Sequence, residues 1–497
     1  MTHANPIVAE NLRPGTGDWR LTCPATAREI EGYASATSVN RGDVIHLYVN
    51  TGSPTFVLEV FRMGWYGGLG ARRIGGATVV AGTAQVMPTS DPETGLTDCA
   101  WVHPYALSTR NPDDPADWVS GVYLVKLTAS NGGAQSYIIF VVRDDQRQSD
   151  LLFQLSVTTY QAYNYWGGKS FYNWGSTERK RAAKISFNRP YAANGQNPAA
   201  AYGMGAGEFL TNLQPHPDSY KVSNAGWDYN MVRWLEREGY DLSYCSSLDT
   251  HANPDLLRPH KAWLSVGHDE YWTWEMRQHV EAARDAGVHL GFFSANSAYW
   301  QIRLEASAAS GTADRIMTCY KKASRDPLAK SGADTLRITD KWRSAAVNRP
   351  EEQLIGVMYA GDPVDADIVI KATQHWVFAN TGLEPGATLP GLLGYEVDCV
   401  HAPADFPSTL QILAESPWTA LTDASKQGVA HMSIYTAASG AIVFATGSIQ
   451  WAWGLDDYNV PALRPSRLSP AAQQTTRNVL ERFLSSSDEA CRLNRPA

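Results

Sequence analysis

The sequence lacks the features that mark a membrane protein or a nucleic-acid-binding protein. In its 497 residues no apolar run approaches the roughly 20 residues that a membrane-spanning helix needs. The amino terminus has no basic segment followed by an apolar core, so no signal peptide is expected. Lysine and arginine (42) are outnumbered by aspartate and glutamate (50), which gives a formal net charge of −8. This balance argues against a nucleic-acid partner, because phosphate binding requires a basic surface.

Cysteine is scarce, and its spacing excludes two kinds of site. The six cysteines are scattered along the chain, and no two of them form a C-x-x-C pair. Zinc-ribbon and thioredoxin chemistry are therefore not expected. We expect buried free thiols in a reducing compartment, which predicts a cytoplasmic location.

The sequence also lacks the strand-to-helix elbow that carries a nucleophilic serine or cysteine. The apolar run 262–266 is typical of a buried strand and ends at Gly267. His268, Asp269 and Glu270 follow, where a G-x-S-x-G or G-x-C-x-G motif would otherwise stand. Covalent catalysis is therefore disfavoured. Because open α/β sheets bind ligands at the carboxyl ends of their strands, we expect chemistry here; a helix cap with a solvated charge cluster is the alternative.

The length and the periodicity predict a multidomain α/β plus β protein. Residues 1–145 predict an Ig-like β-sandwich, because alternating strands are separated by turn signals. Residues 150–490 predict a flavodoxin-like, class I glutamine amidotransferase-like α/β domain, because apolar strands alternate with helical periodicity. Within it, the Gly- and Pro-rich segment 310–440 is interpreted as a long irregular insertion that partly covers the site.

Two Gly-rich segments, 63–70 and 163–172, concentrate aromatic residues. Aromatic side chains on loops line pockets or cover a neighbouring domain. The sequence leaves both interpretations open.

The polar residues near the predicted strand ends are rich in oxygen donors. They are Glu270, Tyr160, Tyr163, Tyr191 and Asn296. Oxygen donors without thiolates suit a hard metal ion, and phenolate suits ferric iron. A single tyrosine is far more often a packed aromatic than a ligand, so the residues alone leave both interpretations open.

Eight ordered segments carry a resemblance to a known family. They are 61–72, 162–168, 188–191, 238–241, 267–272, 293–296, 394–398 and 447–451. Together they resemble the N,N-dimethylformamidase large (beta) subunit-like family over nearly the whole chain. The resemblance implies a hydrolase that cleaves an amide C–N bond at a mononuclear Fe³⁺ centre held by two tyrosinates and one glutamate.

The resemblance also implies which residues bind the metal. Glu270 of the His-Asp-Glu segment is the implied carboxylate ligand, and Tyr191 of Asn-Arg-Pro-Tyr is one implied tyrosinate. Tyr163 is the other, with Tyr160 as its alternative. Two phenolates and a carboxylate would bring the charge of Fe³⁺ close to zero, which permits burial of the ion.

The implied catalytic residues are Glu396, His268 and Asn296. Glu396 of Gly-Tyr-Glu-Val-Asp would be the general base and would then pass the proton to the leaving amine. His268 and Asn296 would orient groups or stabilise the tetrahedral oxyanion.

Other functions and the partners remain open. The expected partner is a small-molecule amide; the chain could also form homo-oligomers, and whether a small subunit is needed is open. The alternative is a non-catalytic relative whose amidotransferase-like cleft binds a carbohydrate or another small molecule by stacking on Trp and Tyr. An ordinary zinc hydrolase would need more histidines near the carboxylates than the sequence provides.

Overall fold

In the computed structural model, two β-sheets form the amino-terminal part of the chain. The structure describes residues 5–216, 224–332, 335–401 and 407–485. The first elements are α1 (Pro6–Asn11), β1 (Ile30–Ala34), β2 (Ser38–Asn40), β3 (Val44–Thr51), β4 (Thr55–Met63), β5 (Ala71–Ala81), β6 (Tyr105–Ser108), β7 (Gly121–Ala129) and β8 (Gln135–Arg143). One sheet has the order β1-β3-β6 and the other β2-β8-β7-β4-β5.

The two sheets pack face to face as a β-sandwich. In β3 the residues alternate between buried and more exposed, as expected for a strand with one face on a core. Gly32 of β1 lies so close to the other sheet that an added Cβ would stand 2.6 Å from the Ile138 side chain. A β-sandwich at this end of the chain is what the alternating strands indicate. The Ig-like assignment and the boundary at 145 stay predictions.

A larger mixed sheet organises the rest of the chain. The first half of this part of the chain contains β9 (Leu151–Leu155), α2 (Val157–Tyr163), β10 (Lys184–Ser186), α3 (Asp228–Glu238), β11 (Leu242–Ser246), α4 (Ser247–Ala252), β12 (Ala262–His268), β13 (Tyr271–Thr273), α5 (Trp274–Asp285) and β14 (His289–Ala295). The second half contributes β15 (Trp300–Glu305), β16 (Ile316–Thr318), α6 (Pro327–Ser331), α7 (Glu352–Ile355), β17 (Met358–Val369), β18 (Thr388–Cys399), β19 (Gln411–Ala420), β20 (Asp423–Thr436), β21 (Ile442–Ala445) and α8 (Pro470–Leu484).

The strand order of this sheet is β11-β9-β12-β14-β21-β20-β19. The pairs from β11 to β21 are parallel, and β20 and β19 add an antiparallel edge. Counted along the chain, the parallel strands run 2-1-3-4-5, an order typical of doubly wound sheets. The amidotransferase-like assignment and the boundaries 150–490 stay predictions.

Helices cover both faces of the large sheet. Leu152 and Trp263 belong to the core cluster that contains α5 and α7 residues. Phe153 and Leu264, one position later on the same strands, belong to the cluster that contains α3 and α8 residues. Because successive side chains of a strand point to opposite faces, strands buried on both sides read as continuous apolar runs. This explains why these strands are visible in the sequence.

The carboxyl end of α3 and the amino end of α5 carry residues that cap a helix. Gly239 ends α3 in the left-handed conformation, with φ of 79°. At the start of α5, the Thr273 hydroxyl accepts a hydrogen bond from the Met276 amide at 3.1 Å.

The prediction that 310–440 is irregular is wrong for much of this segment. It contains β16–β20, including the long hairpins β17–β18 and β19–β20. The β17–β18 pairing shifts register at three places, between 359 and 368. Each shift interrupts the alternation of buried and exposed side chains, so no strand period is visible in the sequence.

The cysteine prediction is partly wrong. Cys99, Cys245 and Cys319 are buried and free, whereas Cys23 is exposed and Cys399 is half-buried. Cys491 lies outside the described residues. Among the residues that the structure describes, no helix is long and apolar enough to cross a membrane.

Candidate active site

Three neighbouring strands of the large sheet deliver side chains to one edge. Tyr163 ends α2, which follows β9; His268 ends β12; and Asn296 follows β14 directly. These strands are adjacent and parallel, in the order β9-β12-β14, so their carboxyl ends meet at the same edge. The fold therefore places a candidate active site where doubly wound sheets bind ligands.

The turn after β12 depends on Gly267. Its φ is 64°, and an added Cβ would lie 3.0 Å from the Cβ of Trp227 and 3.2 Å from Oδ1 of Asp228. Only glycine fits this position without strain and crowding. The tight turn brings His268 and Glu270 together, with Nε2 of the first 3.6 Å from Oε2 of the second.

Asp269, between these two residues, has a structural role. Its carboxylate accepts hydrogen bonds from Gln154 Nε2 at 2.9 Å and from Ser265 Oγ at 3.0 Å. Burial raises the pKa of Asp269 to about 6, although the hydrogen bond from Ser265 opposes the shift. Of these three consecutive polar residues, His268 and Glu270 therefore belong to the site, whereas Asp269 is hydrogen-bonded to strands of the sheet.

Three oxygen-bearing side chains converge at the centre of the site. The Tyr163 hydroxyl lies 2.9 Å from Oε2 of Glu270, and the Tyr172 hydroxyl lies 2.8 Å from the same oxygen. The two hydroxyls are 2.8 Å apart, and the rings stack with centroids separated by 4.5 Å. We call Tyr163, Tyr172 and Glu270 the oxygen triad.

Burial dominates the electrostatics of the oxygen triad. It raises the pKa of both phenols well above their usual value, and the negative charge of Glu270 raises them further. Burial also raises the pKa of the Glu270 carboxyl, while the neighbouring His268 opposes that shift. Without a bound metal ion, both phenols therefore stay protonated at neutral pH.

A second group of polar residues adjoins the oxygen triad. Nε2 of His268 lies 3.4 Å from Oε2 of Glu396, and the Asn296 side-chain amide donates to the same carboxylate oxygen. Nε2 of Gln214 lies 2.7 Å from Nδ1 of His268. With that amide nitrogen facing the ring, Nδ1 accepts a hydrogen bond and Nε2 carries the proton. Among the described residues Nε2 has no hydrogen-bond partner.

Glu396 reaches the site from the β17–β18 hairpin. The carboxylate of Asp398, two residues further along β18, accepts a hydrogen bond from the Asn296 backbone amide at 2.8 Å, which ties β18 to the end of β14. Burial raises the pKa of Glu396 well above its usual value, and the charge of Asp362 adds to the shift. A carboxyl of raised pKa is a stronger base near neutral pH than an ordinary glutamate.

The site opens into a cavity of about 350 Å³. The cavity is lined by Tyr163, Tyr172, Trp174, Gln214, Pro215, Glu270, Asn296, Tyr299, Trp300, Lys321, Tyr359, Asp362, Tyr395 and Glu396. Its size is within the range of small-molecule sites, which are about 300–1,000 Å³.

Lys321 supplies a positive charge beside the oxygen triad. Its Nζ lies 3.6 Å from the ring centroid of Tyr172 and 4.8 Å from that of Trp300. Burial lowers the pKa of Lys321 to about 8, and the charge of Glu270 opposes that shift. The ammonium is therefore stabilised mainly by ring faces and by the nearby carboxylate charge.

Comparison with known families identifies the family of the chain. A family model described as N,N-dimethylformamidase beta subunit-like, C-terminal, matches residues 57–463. The chain belongs to this family. No curated protein sequence matches it. The resemblance drawn from the sequence motifs is thereby confirmed, and the family description indicates an amide hydrolase.

Of the family-implied residues, the structure brings Tyr163, Glu270, His268, Asn296 and Glu396 together. Tyr160 and Tyr191 lie elsewhere.

Tyr160, the alternative to Tyr163, points to a different partner. Its hydroxyl donates to the carboxylate of Asp228, and its ring packs beside Gly207, where an added Cβ would lie 2.6 Å away. Tyr160 and Tyr163 are three residues apart and lie on the same side of α2, but the Tyr163 hydroxyl contacts Glu270 whereas the Tyr160 hydroxyl contacts Asp228. The geometry therefore favours Tyr163.

Tyr191 does not join the oxygen triad, contrary to the expectation from the family. It lines a separate small cavity together with Gln161, Arg189 and Arg315. Buried Arg189 holds this segment against the outside of α2, because its guanidinium donates to the carbonyls of Asn164 at 2.9 Å and of Lys169 at 2.8 Å. The position beside Tyr163 is taken by Tyr172.

Sequence reasoning missed Tyr172 as a site residue, although a signal was present. Tyr172 is the last residue of the aromatic, Gly-rich segment 163–172, which the sequence marks as lining a pocket or packing between domains. Gln214, Lys321 and Asp362 were also missed. They lie on irregular segments and at a bulged strand, where the sequence carries no motif.

The oxygen triad fits the metal that the family implies. Among the described residues, no three His, Cys, Asp or Glu side chains are arranged to hold a metal ion. The oxygen triad is not such a set, because two of its three donors are phenols. Three oxygens within 2.8–2.9 Å of one another can share the coordination sphere of one cation, and phenolate with carboxylate is a donor set that suits Fe³⁺.

Proposed function

We propose that the protein is a metal-dependent hydrolase that cleaves an amide C–N bond at a mononuclear ferric centre. The observation that carries the proposal is the oxygen triad, which lies beside Glu396 and His268 at the carboxyl edge of the sheet. Membership of the dimethylformamidase-like family supports the reaction class.

Tyr163, Tyr172 and Glu270 would hold the iron. Bound Fe³⁺ would supply Lewis acidity toward the amide carbonyl and would make the phenols acidic enough to ionise. Two phenolates and a carboxylate would balance its charge inside a buried site. The proposal keeps the Tyr/Tyr/Glu ligand set implied by the family and assigns its second tyrosine to Tyr172.

Glu396 would act as general base. Its raised pKa suits the removal of a proton from the attacking water and the transfer of that proton to the nitrogen of the leaving amine. Its carboxylate oxygen accepts from the Asn296 amide, which fixes the direction of the second oxygen. Asn296 is therefore assigned as the residue that orients the base.

His268 would donate a hydrogen bond to the reacting group. The contact with Gln214 holds its proton on Nε2, and Nε2 lies between Glu270 and Glu396 without a hydrogen-bond partner among the described residues. A donor fixed at this position can stabilise negative charge that develops on the carbonyl oxygen. Burial lowers the pKa of His268, so the ring stays neutral and acts as a donor instead of a cation.

The family description refers to a beta subunit. We propose that the chain works in an assembly with a second kind of subunit. Light scattering of the protein purified from its native host should give a mass that is not a whole multiple of the mass of the chain. A mass equal to the 54.5 kDa chain or a whole multiple of it would contradict this part of the proposal.

Metal analysis and a hydrolysis assay test the proposed function together. The purified protein should contain about one iron per chain and absorb visible light through phenolate-to-iron charge transfer. It should also release an amine from N,N-dimethylformamide or another amide. Stoichiometric zinc without iron would contradict the ferric centre. Iron-loaded protein that hydrolyses no amide would contradict the hydrolase and favour the non-catalytic binding protein.

A further inference from the structure

The cavity above the oxygen triad is larger than a dimethylated formamide requires. Its volume is about 350 Å³, whereas five non-hydrogen atoms, each with about the volume of a water molecule, about 30 Å³, take about 150 Å³. N,N-dimethylformamide would fill less than half of this space. A small substrate would therefore leave ordered water beside the reacting amide and gain little from the walls.

The walls beyond the oxygen triad are aromatic. Five rings line the cavity in addition to the two phenols of the triad, and they belong to Trp174, Tyr299, Trp300, Tyr359 and Tyr395. Several hold one another in place: the Tyr299 ring meets Trp300 with centroids 4.9 Å apart and Tyr359 with centroids 5.3 Å apart, both edge-on. Rings fixed in this way offer flat surfaces to a planar ligand.

The charges of the cavity select against an anion. In the iron-loaded protein Glu270 would balance the charge of the metal, so the remaining charged groups of the lining are the carboxylates of Asp362 and Glu396 and the ammonium of Lys321, which is the only lining ammonium among the described residues. That ammonium already lies over the ring of Tyr172. A substrate carboxylate would therefore meet net repulsion.

From these observations we infer that the substrate is a neutral amide that carries an aromatic ring and is larger than N,N-dimethylformamide. The inference rests on the proposed hydrolase function and specifies its substrate class. The carbonyl would lie at the oxygen triad, and the ring would occupy the space between Tyr299, Tyr359 and Tyr395.

The test compares amides on the iron-loaded protein. Acetanilide and N-methylbenzamide carry the ring on opposite sides of the amide, and at least one should exceed N,N-dimethylformamide in kcat/KM by about tenfold or more, since even one methylene group in a hydrophobic pocket is worth about 10-fold or more. The anionic 4-acetamidobenzoate should fall about tenfold below acetanilide. If kcat/KM for both aryl amides equals or falls below that for dimethylformamide, the inference that the substrate carries an aromatic ring is wrong. If the benzoate is the best substrate, the neutral class is wrong.

A variant of Tyr299 tests whether the aromatic lining of the cavity causes the preference for aryl amides. Tyr299→Leu should lower the ratio of kcat/KM for the better aryl amide over dimethylformamide by about fivefold, because ring-on-ring contacts are worth about 0.5–1.5 kcal/mol. Tyr105→Leu removes a half-buried tyrosine from β6 of the sandwich and should leave the ratio unchanged. Equal ratios in wild type and Tyr299→Leu would overturn the placement of the ring.

Binding separates this inference from the proposed function. Titration calorimetry on the metal-free protein should show tighter binding of acetanilide or N-methylbenzamide than of dimethylformamide. Binding without hydrolysis by the iron-loaded protein would contradict the hydrolase and leave the ligand class standing. Hydrolysis of dimethylformamide with no preference for either aryl amide would support the hydrolase and contradict the inferred substrate class.

Discussion

The hydroxyl of Tyr172 lies 2.8 Å from the hydroxyl of Tyr163, although the two residues stand on opposite sides of a Gly-rich loop. Gly167 and Gly168 both have positive φ, 73° and 75°, and reverse the chain between them. This reversal creates a pair of phenol oxygens where a single tyrosine would provide one. The pair would supply both phenolates of the proposed ferric centre.

Tyr172→Phe should reduce iron content and bleach the visible band, because the variant removes one donor oxygen and keeps the ring. Tyr191→Phe is the matched control, since the same atom is lost from a tyrosine that lines a separate cavity. Elemental analysis and absorption spectra of both variants make the comparison. A bleached Tyr191→Phe with an unchanged Tyr172→Phe would restore the ligand that the family resemblance implies.

Glu396→Gln should keep iron and colour but lose about 10²–10⁴-fold in kcat, the typical effect of removing a general base. The base acts when ionised, so wild-type activity should fall as the pH falls through the raised pKa of Glu396, and the variant should lack this limb. Glu384→Gln changes an exposed glutamate in the same way and should behave as wild type. Steady-state pH profiles of the three proteins test this prediction. If the acidic limb persists in Glu396→Gln, the limb reports the ionisation of another group.

Gly267→Ala should destabilise the protein and lower its iron content. A left-handed alanine costs about 1–2 kcal/mol, and here its Cβ would also crowd Trp227 at 3.0 Å and so displace the turn that carries Glu270. Gly75→Ala has the same φ of 64° with no atom within 4 Å of the added Cβ. Urea unfolding and metal analysis should show the strain in both variants and the loss of iron only in Gly267→Ala. Full iron in Gly267→Ala would mean that the turn tolerates the change.

Asp228→Asn should flatten the dependence of stability on pH. Burial raises the pKa of Asp228 to about 8, and the Tyr160 hydroxyl donates to the carboxylate. The folded state therefore holds a proton that the unfolded state releases near pH 4, so this contribution to stability is full below about pH 4 and is lost as the pH rises through 8. Each unit of pKa shift corresponds to about 1.4 kcal/mol.

Urea midpoints of the metal-free protein between pH 5 and 8 check this prediction. The wild type should lose more stability over this range than Asp228→Asn does. Asp113→Asn, a change at an exposed aspartate, should follow the wild type. Parallel curves for wild type and Asp228→Asn would show that the carboxyl titrates normally.

Local sequence signals located the elements that build the edge of the site. The apolar run 262–266 and Gly267 mark the end of β12, and Gly239 and Thr273 mark the ends of their helices. Each of these signals is local: a buried strand needs apolar side chains on both faces, and a helix end needs a residue that satisfies its free backbone groups. Such requirements are met by neighbours in the chain and can be read without the fold.

The sequence by itself determined the family, the parallel α/β sheet and the residues His268, Glu270, Asn296 and Glu396 as candidates. Only the tertiary structure decided which tyrosines accompany them. Tyr160, Tyr163, Tyr172 and Tyr191 have the same chemistry, and no local pattern distinguishes a phenol that faces the site from one that faces Asp228 or a separate cavity. That choice depends on Asp228 and Glu270, which contact Tyr160 and Tyr163, on the Gly167–Gly168 reversal and on the hydrogen bonds of Arg189, and these join segments distant in the sequence.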